Sequence, residues 1–565
     1  MASRRIVIVG GVAGGAACAA RLRRLDEDAE IYVFERSGHV SFANCGLPYY
    51  VGGVIAERSR LLVATPERFR DWYNVEVRVR HAVEQIDRQR KVVTVRNLGN
   101  GAGREERYDV LVLSPGAQPI RPAWPGIDLP GVFTLRNLED ADRLFGWLGE
   151  RRPARAVVVG AGYIGLEMTE NLVRRGIEVT VLEKAGQALL PWDPEMVTPL
   201  YDVLRREGVD LRLGEGATAI EPGPIDRLTV VTDQGQRLTA GVVVLAIGVR
   251  PEVELARQAE LEIGACGGIR VDDQMRTSDP AIWAVGDAVE VRDVITGRWT
   301  LVPLAGLAAR QARVAADAIC GRPSRFRGAL GTAIVGVFGL ALGITGASEK
   351  TLRACGIAYE KSYTHSLDHA GYYPGAEMID MKLLFAPDTG RILGAQAVGR
   401  AGVARRIDIL SLAIQKGCTV YDLEEGEFCY APQFGSAKDP VNIAGFAAAN
   451  VLRGDVSLAH WDQWRTLQEA ATKPMVVDVR STGEAAAGAV PGTVNIPLGE
   501  LRARLAELPR EREIWVHCGV GQRSYYASRI LVQRGFRVRN LSGGMRSYLS
   551  LPPAWATATE RTPRQ

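Results

Sequence analysis

Two stretches, RRIVIVGGVAGGAACAARLRRL (4–25) and RAVVVGAGYIGLEMTENLVRRGIEVTVLEK (155–184), follow one plan: an apolar strand, a glycine-rich turn, a helix, then a strand ending in an acid. A buried strand running straight into a helix and back demands a crossover between parallel strands, so an α/β fold with two such units is expected. The second stretch has the full G-x-G-x-x-G spacing at Gly160, Gly162 and Gly165, whereas in the first Gly10 and Gly15 fit and Val12 holds the middle place. Glycines there let the backbone approach a pyrophosphate, whose charge then sits at the helix N-terminus. Glu35, closing IYVFE, and Glu183, closing VTVLE, stand where an acid accepts hydrogen bonds from a ribose. Glu183 favours a free 2′-hydroxyl and hence NADH, while Lys184 beside it leaves NADPH open.

Two such sites imply two different dinucleotides. YDVLVLSPGA (108–117) and GVVVLAIGVRPE (241–252) read as buried strands closing the two nucleotide domains. TSDPAIWAVGDAVEV (277–291) ends a strand at Gly286-Asp287, where an aspartate can hydrogen-bond the ribityl chain of a flavin. A chain of 565 residues exceeds one core, and three or four domains are expected. The net charge of +4 gives no argument for nucleic acid. Eight cysteines without a C-x-x-C pair argue against a disulfide framework or a structural zinc site, and no metal is expected. MASRRIVIVGG carries no signal-peptide pattern, so a cytoplasmic protein with reduced thiols is expected. The uncharged run LGTAIVGVFGLALGITGA (330–347) is rich in glycine and reads as two buried strands joined by a turn, with no membrane span.

Together these motifs resemble the two-dinucleotide flavoprotein disulfide reductases over residues 1 to about 450. The resemblance implies an FAD domain (1–150 and 276–325) interrupted by an NAD(P) domain (151–275), then an α+β dimerisation domain (326–450). Most of that superfamily carries a cysteine pair after the acidic strand. Here VSFANCGLPYY holds Cys45 alone, as in the single-cysteine branch of coenzyme A-disulfide reductases, NADH oxidases and NADH peroxidases. A loop feeding a helix beside an electron-poor flavin is expected to lower the Cys45 pKa and so supply a thiolate. By the same resemblance, Arg24, Ser41, Asn44 and Arg68 match positions that touch coenzyme A, with Arg21 and Arg23 adding cations nearby. The His-Pro acid of glutathione-type enzymes does not occur. In its place HAGYYPGAEM (369–378) and FCYAPQFG (428–435) are expected to send Tyr373, with Tyr372 as rival, and Tyr430 across a homodimer to the partner's cysteine.

A second α/β pattern follows. KPMVVDVRSTGE holds a strand ending near Asp478 and Arg480, and EIWVHCGVGQRSYYASRIL gives a strand, a loop and a helix with Cys518 and Arg523 bounding the loop. Its glycines allow backbone N–H groups to curl round the sulfur, and the helix N-terminus and Arg523 favour an anion there. Residues 455–557 resemble a rhodanese sulfurtransferase domain, although Ala489 stands where that family commonly has a histidine.

The fusion resembles coenzyme A-disulfide reductases with a rhodanese domain, also described as NAD(P)H-dependent persulfide or polysulfide reductases. It implies electron flow from NADH or NADPH through FAD to sulfur at Cys45, acting on coenzyme A disulfide, coenzyme A persulfide or polysulfide. Cys518 would carry sulfane sulfur, with coenzyme A as substrate or bound cofactor. Two alternatives stay open: an NADH oxidase or peroxidase cycling Cys45 through a sulfenic acid, and a sulfur-carrier or redox-sensing module.

Overall fold

The computed structural model describes residues 3–224, 227–467 and 473–552. Met1 and Ala2 of the N-terminal stretch, and residues 553–557 of the expected rhodanese span, lie outside the described residues. The described residues pack as two compact units, those of 1–189 with 204–331, and those of 190–203 with 332–565.

The first unit contains two five-stranded parallel sheets of the same design. In one, Arg5–Val9 is central, flanked by Glu30–Glu35 and Val110–Leu113, with Glu76–Val79 and Ile282–Ala284 at the edges. In the other, Arg155–Val159 is central between Glu178–Glu183 and Val242–Leu245, with Asp210–Leu213 and Val132–Phe133 outside. The central strands are apolar on both faces because helices cover both sides. Three-stranded antiparallel ribbons (His81–Asp87, Val92–Asn97, Gly103–Arg107, and Ala217–Pro222, Leu228–Thr232, Arg237–Ala240) accompany them.

The second unit begins with a five-stranded antiparallel sheet in the order Ala333–Val337, Leu340–Gly346, Ile392–Gly399, Met378–Phe385, Glu360–Leu367. The uncharged 330–347 run supplies its first hairpin. Phe338 (φ 49°) and Gly339 (φ 78°) both take the left-handed region that a two-residue hairpin turn requires. A five-stranded parallel sheet follows, with Ile514–His517 central between Met475–Asp478 and Val538–Leu541, and with Val494–Asn495 and Leu458–Ala459 at its edges. Among the described residues no helix is long and apolar enough to cross a membrane.

Polar pairs join these two sheets within the unit. Tyr363 N–H donates to Ser542 Oγ at 3.0 Å, and Lys361 Nζ meets Asp462 at 3.0 Å. His365 lies between Asp380 (2.7 Å) and Ser547 Oγ (3.0 Å), and Arg546 also pairs with Asp380. Leu190–Val203, within the 151–275 span, packs with the second unit. The fully buried Lys382 ammonium lies 2.6 Å from Glu195, 2.6 Å from Glu349 and 2.9 Å from Asp193. Those carboxylates are close enough together to hold a cation, and the ammonium is the one they hold.

Candidate active sites

The two glycine turns are built alike. Gly10 (φ 89°) and Gly160 (φ 105°) take left-handed backbone, and a Cβ on either would overlap a carbonyl of the neighbouring closing strand, Ser114 or Ala246. Gly15 and Gly165 lie so close to the Gly10 and Gly160 carbonyls that no side chain fits. Gly162 has open space beyond its Cα, room for a ligand to approach the backbone. Each strand-end acid is braced by two backbone donors. Glu35 accepts the Gly11 and Ser37 N–H groups, both at 2.8 Å, and Glu183 accepts those of Ala161 (2.8 Å) and Ala185 (2.9 Å). Glu35 is therefore a buried, oriented acceptor and not an exposed strand end. These bonds make the turn rigid before any ribose arrives. Gly11 is a member of the turn that motif spacing alone did not single out.

Gly286 (φ 87°) turns the chain after Ile282–Ala284, and its N–H donates to Gln311 Oε1 at 2.7 Å. Asp287 follows, its carboxyl pushed up by burial and making no hydrogen bond to the described residues. A half-buried carboxyl without a donor suits a ligand that brings hydroxyls. These features fit two dinucleotides, with the Gly10–Glu35–Asp287 group suited to FAD and the Gly160–Glu183 group to a nicotinamide dinucleotide.

Cys45 sits in the short helical turn Asn44–Gly46, just before the helix Leu47–Val51, and is accessible to solvent. The protein by itself does not lower its pKa as expected. Burial first, then the charges of Glu167 and Asp287, push the Cys45 thiol up. Glu167, on the helix Tyr163–Arg174, accepts the Tyr49 hydroxyl at 3.3 Å, and burial raises its carboxyl to about 7. Neither Glu167 nor Tyr49 announced itself in the sequence, because desolvation is a property of packing.

The helix Ala13–Arg23 and its end sort the three arginines expected to be cations for phosphate. Arg23 is buried and caps backbone carbonyls of Tyr73, Asp26, Glu27, Ala29 and Asn74, and Arg21 pairs with Asp317 at 2.7 Å. Both are structural. Arg24 is exposed and unpaired among the described residues. Ser41 holds a left-handed backbone (φ 48°), Asn44 Nδ2 donates to the Arg136 carbonyl at 3.4 Å, and Arg68 lies 3.9 Å over the exposed Trp72 ring.

In the second unit the tyrosine choice changes. Tyr372 and Tyr430 join hydroxyl to hydroxyl at 2.7 Å and are both exposed, whereas Tyr373 packs edge-on against His369. The hydroxyl pair is thus Tyr372–Tyr430, while Tyr373, also exposed, stands beside it against His369.

Cys518 begins the loop after Ile514–His517 and is fully buried. Its sulfur accepts the Gly521 N–H at 3.1 Å, and the Ser524 hydroxyl lies at 3.5 Å. Among the described residues the sulfur thus meets one backbone N–H, with the Ser524 hydroxyl and the Arg523 side chain beside it. Asp478 and Arg480, at the end of the neighbouring strand Met475–Asp478, form a buried pair at 2.6 Å. Arg523 faces Cys518 but is also held from the other side by Glu484, with Nη1 and Nη2 each 2.7 Å from one carboxylate oxygen. Ser481-Thr-Gly-Glu484 is a readable capping-box sequence, but its second role against Arg523 required the fold.

Two nucleotide cradles in one unit with the accessible Cys45 fit a pyridine-nucleotide-linked disulfide oxidoreductase. The chain belongs to the pyridine nucleotide-disulphide oxidoreductase family, whose model matches residues 4–312; the family's dimerisation domain matches 332–439 and a rhodanese-like domain 462–551. The crystal structure of Bacillus anthracis CoADR-RHD is similar to it at 44% identity, covering 98% of this chain and 99% of that one, with a TM-score of 0.95. A NAD-dependent persulfide reductase from A. fulgidus is 38% identical over 96% of this chain and 100% of that one, TM-score 0.88. The coenzyme A disulfide reductase of Staphylococcus haemolyticus is 35% identical, covering 79% of this chain and all of its own.

Proposed function

We propose that this protein is an FAD-dependent NAD(P)H oxidoreductase that reduces coenzyme A disulfide or coenzyme A persulfide at Cys45, with Cys518 carrying sulfane sulfur. The observation that carries the reading is the pairing in one chain of the accessible Cys45, which has no second cysteine beside it in VSFANCGLPYY, with Cys518 cradled by Gly521 and Ser524. Coenzyme A disulfide and persulfide reductases of the same length and fold support it.

The bound dinucleotides supply the two electrons. The chain does the rest. Cys45 thiolate attacks a sulfur–sulfur bond, and the balance is disulfide plus NADH plus H⁺ giving two coenzyme A thiols and NAD⁺. For a persulfide it gives one coenzyme A thiol and hydrogen sulfide. Arg24 and Arg68 offer cations for coenzyme A phosphates, and Ser41 and Asn44 polar groups near the cysteine. The family's dimerisation domain implies a homodimer. The Tyr372–Tyr430 hydroxyl pair then faces the partner's Cys45 and supplies the proton to the leaving thiolate. Glu183 braced by Ala161 and Ala185 favours NADH over NADPH. A cytoplasmic setting follows from the thiols and substrates such chemistry requires.

The test is anaerobic NADH oxidation by the FAD-loaded protein with coenzyme A persulfide or disulfide, comparing wild type, Cys45→Ser and Cys518→Ser. Cys45→Ser is expected to abolish both reductions, by at least about 10³-fold, with Cys518→Ser leaving disulfide reduction intact. NADH consumption only after air is admitted would overturn the proposal in favour of an oxidase.

A further inference from the structure

The Arg523 guanidinium closes the Cys518 loop, and it is paired. Glu484 meets it with both carboxylate oxygens, at 2.7 Å and 2.7 Å. The acid cannot easily turn away, because its Oε2 also accepts the Ser481 hydroxyl (2.8 Å) and N–H (3.1 Å) in a capping box. Arg523 first, and then Ser481, hold its carboxyl down at about 2, so the pair stays fully ionised at neutral pH. A bidentate pair of opposite unit charges leaves no net charge beside the sulfur. Two neighbouring arginines are matched as well: Arg480 by Asp478, and Arg546, whose N–H donates to the Gly519 carbonyl, by Asp380.

This arrangement discriminates by charge. A small inorganic dianion such as thiosulfate needs an uncompensated cation where its sulfonate end comes to rest. An organic persulfide presented on a neutral arm, with any phosphates far from the sulfur, does not. We propose that Glu484 is a specificity-determining residue of the Cys518 site, cancelling Arg523 so that the loop takes sulfane sulfur from a neutral-armed thiol persulfide of the pantetheine type and discriminates against thiosulfate. This rests on the reading of Cys518 as the sulfur carrier. The transfers balance: Cys518–S⁻ and RS–S⁻ give Cys518–S–S⁻ and RS⁻. With thiosulfate, Cys518–S⁻ and S–SO₃²⁻ give Cys518–S–S⁻ and SO₃²⁻. Cyanide discharges either product as thiocyanate.

The experiment measures thiocyanate formation by the full-length holoenzyme without NADH, with thiosulfate or coenzyme A persulfide as donor and cyanide as acceptor. Cys518→Ser sets the background. Glu484→Gln keeps the capping-box geometry, which accepts glutamine as well as glutamate. It is expected to raise kcat/KM for thiosulfate by at least about tenfold and to change that for the persulfide by less than about threefold. An unchanged or lower thiosulfate value, or an equal rise with both donors, overturns the specificity role while leaving Cys518 as carrier. Failure of the wild type to exceed Cys518→Ser with either donor overturns the carrier reading itself, and the role of Glu484 with it. A second readout needs no variant. Wild-type kcat/KM for thiosulfate should be nearly flat between about 20 and 200 mM ionic strength, and a steep fall with salt would mean that Arg523 acts as a free cation and the proposal is wrong.

Discussion

At Cys45 the protein works against the thiolate that the proposed chemistry needs. Burial, Glu167 and Asp287 all push the thiol up. Glu167 itself is raised to about 7 by burial, so near neutrality it stores a proton beside the cysteine. Replacing it by glutamine removes a negative charge, and Glu167→Gln should speed alkylation of Cys45 by iodoacetamide about tenfold above pH 7. The difference should shrink below pH 6, where Glu167 is already protonated. Stability has its own sign. A carboxyl whose folded pKa lies above its unfolded one binds its proton more tightly in the native state, so stability falls as pH climbs from about 4.3 to about 7 and stays low above that. Thermal unfolding of Glu167→Gln should lack that decline, and its midpoint should exceed that of the wild type at pH 8.

At the scale of elements, the second unit is held by charges from four separate segments. Lys382 on Met378–Phe385 meets Asp193 and Glu195 from the 190–203 segment and Glu349 from the helix Glu349–Cys355. Burial by itself would raise the Glu349 carboxyl, but Lys382 and Lys361 hold it well below the usual carboxylate range. This contribution is present above the unfolded pKa of about 4.3 and disappears as pH falls below it. Lys382→Met should cost about 3–5 kcal/mol at pH 7, because it leaves three buried carboxylates without their ammonium. Urea unfolding followed through the buried Trp192 and Trp461 would show this. The loss should narrow at pH 4, where the orphaned acids can take up protons.

At the scale of the whole molecule, the proposed pairing of each Cys45 with the partner's Tyr372 and Tyr430 predicts complementation between dead subunits. Cys45→Ser and Tyr430→Phe homodimers, unfolded together and reassembled in equal amounts, should regain about a quarter of the wild-type activity, since half the dimers carry one intact site of two. No recovery beyond the sum of the parents would show that each site is built within one chain. The adjacent sheets of the second unit are pinned by Lys361–Asp462, Tyr363–Ser542 and Asp380–Arg546, so Cys518 rides on a fixed neighbour and not on a loose tether.

The doubly repeated strand–glycine–helix–acid plan, the hairpin hidden in the uncharged 330–347 run and the Cys518–Arg523 loop were all legible from residue order. Each rests on short-range rules: which residues turn with positive φ, which runs are apolar, which acid ends a strand. Tertiary structure decided the rest. Helix geometry, and not composition, buried Arg23, paired Arg21 and left Arg24 exposed. A one-residue difference in the turn after His369 sent Tyr372, not Tyr373, to Tyr430. The thiol of Cys45 was raised by burial first and then by an acid from a distant helix, and Arg523 was paired with an acid on another. Burial and charge pairing between segments far apart in the chain have no local signature, because their strength depends on what the fold removes from water.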